Sequence, residues 1–330
     1  MDPLLVKCLF LIFIPVVMSV RVITERDVEM NNKCTYSFNK RILNCVQLET
    51  VDRSLGEFIT SRTQMLFLRD SKKVVFDINH HTSPNYSNLV GYQVLNSCSF
   101  FVSPGGFFGL SNVQYMEMHG NIWREIDDDI FVGLRSLEVL NLGNNQIKQL
   151  NTKSFNGLNK LKNLDLSDNA IEVIPSYVFQ TLNELESLYV NNNLLKVVQE
   201  NAFLGLASLD MLFLTNNSLE YIDSNEFNKL KNLEHLNANF NKIKSIIGQL
   251  RLAKLQFLQL TNNELNELEC NVLVGCLELL SVDLSKNKLG LLTEKPFLNL
   301  VKLRYLNLYG NNVNFGAFSN LKEQATIIHN

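Results

Sequence analysis

One pattern, L-x-x-L-x-L-x-x-N-x-L, occupies most of this 330-residue chain and returns at a nearly fixed period. It is clearest in Leu137-x-x-Leu140-x-Leu142-x-x-Asn145-x-Ile147 and in Leu161-x-x-Leu164-x-Leu166-x-x-Asn169-x-Ile171. The equivalent asparagines are Asn121, Asn145, Asn169, Asn193, Asn217, Asn241, Asn263, Asn287 and Asn311. Each step is 24 residues except the step of 22 between Asn241 and Asn263. A unit this short cannot bury its own apolar face, so copies must stack and share a continuous core. The expected fold is therefore an α/β solenoid, a horseshoe with a parallel concave β-sheet and irregular or 3-10 convex segments. Function in such a chain falls to binding, on the surface that the stacked copies present side by side.

Within a copy, apolar and polar residues alternate as in a half-buried strand. Leu164 and Leu166 point inward, and Asn163, Asp165 and Ser167 point out on the concave side. Nine such strands at ~4.8 Å make a sheet on the order of 40 Å long. The asparagine then turns inward, where its amide can bond backbone groups that stacking removes from water. A phenylalanine follows ten residues later at Phe131, Phe155, Phe179, Phe203, Phe227 and Phe297, with Phe107 one step before them. These rings predict a stacked spine under the convex side. The spine lapses in the short copy, at Ile247-Gly248-Gln249-Leu250, and Leu273 stands in afterwards. A packing gap or change of curvature is expected near Ile246–Leu252.

Upstream, Leu66-x-Leu68-x-x-Ser71 and Tyr92–Cys98 read as worn strands, with an irregular insertion at Asn79–Asn88. Downstream, Phe315, Phe318, Leu321 and Ile327 are spaced to fold over the last copy as a lid. Some cover is required there, because an open solenoid end exposes core. The apolar run Leu9–Val17, with Lys7 before it and small residues at Val17 and Ser19, reads as a signal peptide cleaved after Ser19. It is too short to span a bilayer comfortably, and no later segment has the ~20 apolar residues a membrane helix needs. The organisation is thus a signal peptide over 1–19, a cap over 20–60, repeats over 61–315 and a tail or lid over 316–330. The repeats are degenerate to about 106 and regular from about 107. The mature chain is expected to be secreted.

Cys8 leaves with the signal peptide, and Cys34 and Cys45 flank two short strands before the first repeat. A disulfide between them would close a cap over the repeat core, as an oxidising compartment permits. Cys98 falls near a ladder position of a worn repeat, where a buried, free and inert thiol is expected. Cys276 replaces a core leucine, with Cys270 six residues earlier; they either pair or stay free.

Net charge is −3 with both signs interspersed, and no basic stripe points to nucleic acid. His80-His81 lacks partners at zinc spacing and reads as a solvated loop pair. Asp127-Asp128-Asp129 fits no calcium-loop spacing. No phosphate loop and no nucleophile signature occurs, so neither catalytic residues nor a metal or cofactor is expected. Sequons at Asn85-Tyr-Ser87 and Asn216-Asn-Ser218 offer glycosylation sites, Asn85 on an exposed insertion and Asn216 at the end of a concave strand.

What remains for binding is the outward set on the concave face. Tyr189, Met211, Phe213 and Phe257 are large side chains with no structural reason to point out, and His235 and Asn237 lie between them. Tyr115, Glu117 and His119 form an N-terminal trio, and Tyr305 and Tyr309 a C-terminal pair. A contiguous aromatic patch on a soluble protein marks a partner site.

Over residues 107–313 the period and the phenylalanine spine resemble the extracellular, or typical, class of leucine-rich repeat proteins. The cap residues Lys33-Cys34-Thr-Tyr36 and Leu43-Asn44-Cys45 behind a signal peptide resemble secreted leucine-rich repeat immune proteins of insects, including the mosquito complement-associated group. That resemblance implies innate-immune recognition of a protein or microbial ligand. The mosquito group usually continues into a cysteine-rich C-terminal cap and a coiled coil, patterns this sequence lacks, so dimerisation through them is not implied. Toll-type receptors share the repeats but need a membrane span and an intracellular domain. The alternative is a cell-surface or matrix adhesion or receptor-associated protein.

Overall fold

Leucines set the inward column. Leu140, Leu164, Leu188, Leu212, Leu236 and Leu258 each occupy the middle of a three-residue strand and are fully buried or nearly so. The strands pair in parallel with leucine opposite leucine, as Leu164 does with Leu140 on one side and Leu188 on the other. The computed structural model describes residues 27–329 apart from 31–32, 38, 52, 78–79, 82–83, 99, 319 and 322–323. The signal-peptide reading over Met1–Ser19 lies outside the described residues.

Among the described residues the concave sheet has fifteen strands. Two at the N-terminal end, Asp27–Met30 and Cys34–Ser37, are antiparallel, and the thirteen from Ile42–Val46 to Thr326–Ile328 run parallel. The stack is therefore longer than the nine clear copies. The worn segments supply Met65–Arg69 and Gly91–Leu95 in full register. The cap hairpin is closed by the Cys34–Cys45 disulfide, between directly opposed residues. At the far end Phe318 and Leu321 are buried as a lid, and Thr326–Ile328 adds one more rung against Tyr305–Asn307. The convex side carries only short pieces: two-stranded pairs such as Tyr221–Asp223 with Ser245–Ile247, 3-10 turns, and one helical turn at Ser224–Phe227.

Two devices hold the stack. Each of the nine ladder asparagines donates from Nδ2 to a carbonyl of its own turn and to one in the preceding repeat, while its Oδ1 accepts a preceding-repeat N–H. For Asn145 these partners are Leu142 O and Met118 O, both at 2.9 Å, and Trp123 N at 3.2 Å. The residue just before each asparagine is left-handed, as at Asn144, Asp168, Asn192, Asn216, Phe240 and Asn262. Under the convex side Phe107, Phe131, Phe155 and Phe179 stack with ring centroids 5.7–6.2 Å apart. Burying each ring is worth roughly 1.5–3 kcal/mol.

Several expectations need correction. His80 and His81 are not solvated but buried, packed with Phe76, Tyr86 and Tyr92. His81 Nδ1 donates to the Gly106 carbonyl at 2.7 Å, and its Nε2 accepts from the Tyr92 hydroxyl at 3.2 Å. An aromatic-rich segment shelters an imidazole when both ring nitrogens find partners. Cys98 is exposed; Ser97 takes the buried place one step before Asn121. Cys270 and Cys276 are unpaired, the first exposed and the second buried. At the short copy Leu250 and Leu252 are fully buried, and a groove opens one repeat earlier, between Val197–Glu200 and Tyr221–Lys229. Asn85 is half-buried rather than exposed, and its amide donates to the Ile59 carbonyl at 2.6 Å.

Candidate partner-binding face

The 24-residue register decides which outward side chains become neighbours. Tyr189 lies opposite Phe213 on the next strand, and Met211 opposite His235, which in turn lies opposite Phe257. The rings stack across strands. Tyr189 and Phe213 have centroids 4.9 Å apart and planes within 2°, and His235 and Phe257 are 4.5 Å apart within 7°. Four adjacent strands thus carry one continuous patch. Small side chains bound it, Ser187 on one side and Ser281 on the other, in the same row as Met211, His235 and Phe257.

The other predicted residues are not part of this patch. Tyr115, 46% exposed, and Glu117 lie three strand steps from Tyr189, on the order of 14 Å along the sheet. Glu117 instead accepts from Gln93 Nε2 at 2.6 Å. Tyr305 and Tyr309 lie at the C-terminal end, two strands beyond Phe257. Asn237 Oδ1 accepts from the Thr215 hydroxyl at 2.8 Å, which ties it to the sheet. Asn216 is exposed, its amide donating to Asn192 Oδ1 at 3.0 Å on the rim of the concave face.

Burial shapes the electrostatics. It raises the Tyr189 phenol and lowers the His235 imidazole, so both are neutral near pH 7. Asp210, just before Met211, is pushed up to about 6, first by burial and then by its neighbours Glu186 and Glu234. Reasoning from the sequence missed this carboxylate column. It also missed Phe240, which is 54% exposed on the rim in the left-handed conformation (φ 55°). The signal for Phe240 was present: its equivalents one step away are Asn216 and Asn262, residue types that tolerate such a backbone.

Residues 119–171, 135–195, 159–219 and 183–243 match the family described as Leucine rich repeat. The fold is a leucine-rich repeat solenoid. No curated protein matches the chain by sequence. Solved structures share the fold. One is an octameric complex of Latrophilin 3, Unc5D and the leucine-rich repeat region of FLRT2, with a TM-score of 0.69 at 21% identity over 82% of this chain and 85% of the other. The Toll–Spätzle complex of Drosophila matches with a TM-score of 0.69 at 17% identity, over 87% of this chain and 43% of the other. The APL1 leucine-rich repeat domain matches with a TM-score of 0.65 at 19% identity, over 87% and 71%.

Proposed function

We propose that this chain is a secreted, non-enzymatic binding protein that holds a protein or microbial ligand on its concave face, in innate-immune recognition. The observation that carries the binding reading is the stacked aromatic patch of Tyr189, Phe213, His235 and Phe257, flanked by Ser187 and Ser281 in the row of His235 and Phe257. Aromatic anchors of this kind concentrate binding energy when a partner desolvates them. The Cys34–Cys45 disulfide supports an oxidising, extracellular setting. A glycan at the exposed Asn216 belongs to the same reading and would shade the rim beside the patch, whereas Asn85, half-buried with its amide on the Ile59 carbonyl, is the poorer acceptor. The immune assignment draws support from shared fold with Toll, whose complex with Spätzle is described as a hub in Drosophila development and innate immunity, and with APL1. Adhesion at the cell surface or in matrix is the second reading, in keeping with the fold shared with the FLRT2-containing complex over 82% of this chain and 85% of that one.

The test is a pull-down from native body fluid with the wild-type chain and with Tyr189→Ala/Phe213→Ala. The double variant should keep its fold, since both side chains lie outside the leucine core, and lose the captured partner. Unchanged capture by a folded double variant eliminates the concave-face reading.

A further inference from the structure

In several places among the described residues the solenoid sets opposite charges beside one another in successive repeats. Glu138 meets Lys162 at 2.9 Å, Glu172 meets Lys196 at 2.7 Å, and Glu220 meets Lys244 at 2.9 Å. Glu264 with Lys288 and Glu278 with Lys302 repeat the arrangement at 2.7 and 2.6 Å. One column departs from it. After Glu138 and Lys162, the residues that lead into the concave strands are Glu186, Asp210 and Glu234.

These three stand side by side. The Asp210 N–H donates to the Glu186 carbonyl at 3.0 Å, and the Glu234 N–H donates to the Asp210 carbonyl at 2.8 Å. Among the described residues no lysine or arginine comes within ion-pair distance of any of the three, although Lys162, next in the column and paired with Glu138, is close enough to feel Glu186. The Glu234 carboxylate accepts from the neutral Gln256 amide at 2.9 Å, and among the described residues Asp210 Oδ1 is buried with no hydrogen-bond partner. Like charges stacked on neighbouring strands cost stability. Lys162 offsets the column only at its Glu186 end, and a cation from outside would relieve the rest.

The column borders the aromatic patch directly, since Glu186, Asp210 and Glu234 precede Ser187, Met211 and His235 in sequence. The regular middle of the face has the same sign, with Arg69 toward the N-terminal end and Arg304, in the column position before Tyr305–Asn307, lying outside it. Glu117, Asp165 and Asp283 point into it and are held by neutral donors, Asp165 by the Ser167 N–H at 2.8 Å and Asp283 by the Ser285 N–H at 2.9 Å. Between Gln114 and Ser285, the outward rows and this column contain one lysine, Lys162, and no arginine. The whole chain is nearly balanced, with 30 basic and 33 acidic residues, so this polarity belongs to the face and not to the composition.

We propose that the concave face takes a basic segment of a partner protein, with arginine or lysine set against Glu186, Asp210 and Glu234 and an apolar neighbour on the aromatic stacks. The inference rests on the concave-face reading above and adds the partner's chemistry. Electrostatic complementarity of this kind steers encounter and selects partners.

The probes are two short fluorescent peptides, one alternating leucine with arginine and the other leucine with glutamate, followed by anisotropy. The arginine peptide should bind the wild-type chain, more weakly as salt is added, and the glutamate peptide should not. Glu186→Gln/Asp210→Asn/Glu234→Gln should weaken binding about tenfold. If that variant does not fold, Glu186→Gln/Glu234→Gln reads the same effect at about threefold. Equal binding of both peptides, or undiminished binding by the folded charge variant, overturns the proposal. Binding lost in Tyr189→Ala/Phe213→Ala but kept in the charge variant overturns the charge inference and leaves the concave face as the binding site. Binding kept in both variants overturns the two together.

Discussion

Replacing Asn193 with alanine tests the bonds that hold one repeat against the next. Asn193 Nδ2 donates to Leu166 O at 2.9 Å and Val190 O at 3.2 Å, and its Oδ1 accepts the Ile171 N–H at 3.0 Å. The carbonyls are shared along the ladder. Leu166 O also receives Asn169 Nδ2 at 3.0 Å, and Val190 O receives Asn217 Nδ2 at 2.8 Å. Removing Asn193 therefore leaves each carbonyl with one donor. The buried Ile171 N–H has no second acceptor among the described residues, so it alone is orphaned. One orphaned donor costs about 1–3 kcal/mol, and the trimmed contacts place the total near the upper end, about 2–3 kcal/mol. Aspartate at the same position keeps the acceptor for Ile171 but turns a second oxygen onto the Leu166 and Val190 carbonyls. It should cost more than alanine, because its charge is buried without a partner. Urea unfolding of the three proteins, compared through the midpoint at constant slope, should rank them wild type, alanine, aspartate. An alanine variant within about 0.5 kcal/mol of wild type, or an aspartate variant more stable than alanine, refutes the reasoning.

Two further outcomes follow from buried or strained groups. His81 is held neutral, its pKa well below the ordinary 6.5 because of burial first and His80 second. The unfolded chain thus takes up a proton that the folded chain refuses. Stability should be full above pH 6.5 and fall below it until the folded value is reached, by at most about 1.4 kcal/mol per pH unit. Denaturation at pH 7.5 and 5 would show this, and a slope unchanged in His81→Gln would assign the effect elsewhere. Phe240→Asn should raise stability by roughly 1 kcal/mol, since asparagine tolerates the left-handed backbone and the ring is mostly exposed. A lower melting temperature for that variant would mean that the ring's contacts outweigh the strain.

The regular repeats were fully legible because each position carries one task. A leucine that must face inward, an asparagine that must bond two turns and a phenylalanine that must stack leave a periodic trace. The candidate patch was legible for the same reason: once the inward residues are assigned, Tyr189, Met211, Phe213, His235 and Phe257 stand out as large side chains facing the other way. Worn copies were harder. Gly91–Leu95 pairs as well as any strand, yet its ladder position is Ser97, a residue that leaves no signature. His80 and His81 look like surface residues by type, and only the surrounding Phe76, Tyr86, Tyr92 and Phe107 make them core.

The sequence by itself determined the solenoid, because stacking is the only way for units of this size to bury their leucines. It also determined which side chains face the concave side, since strand alternation leaves no choice of direction. Tertiary structure decided what those side chains become together. Glu186, Asp210 and Glu234 are separated by 24-residue intervals, so the period assigns them one repeat position, but in a chain of mixed charge it does not say which cations lie beside them. Parallel pairing brings them to adjacent strands, where three like charges stand in one column beside the aromatic stacks. Charge adds through space and not along the chain, so the character of the proposed binding face appears only when the repeats are stacked.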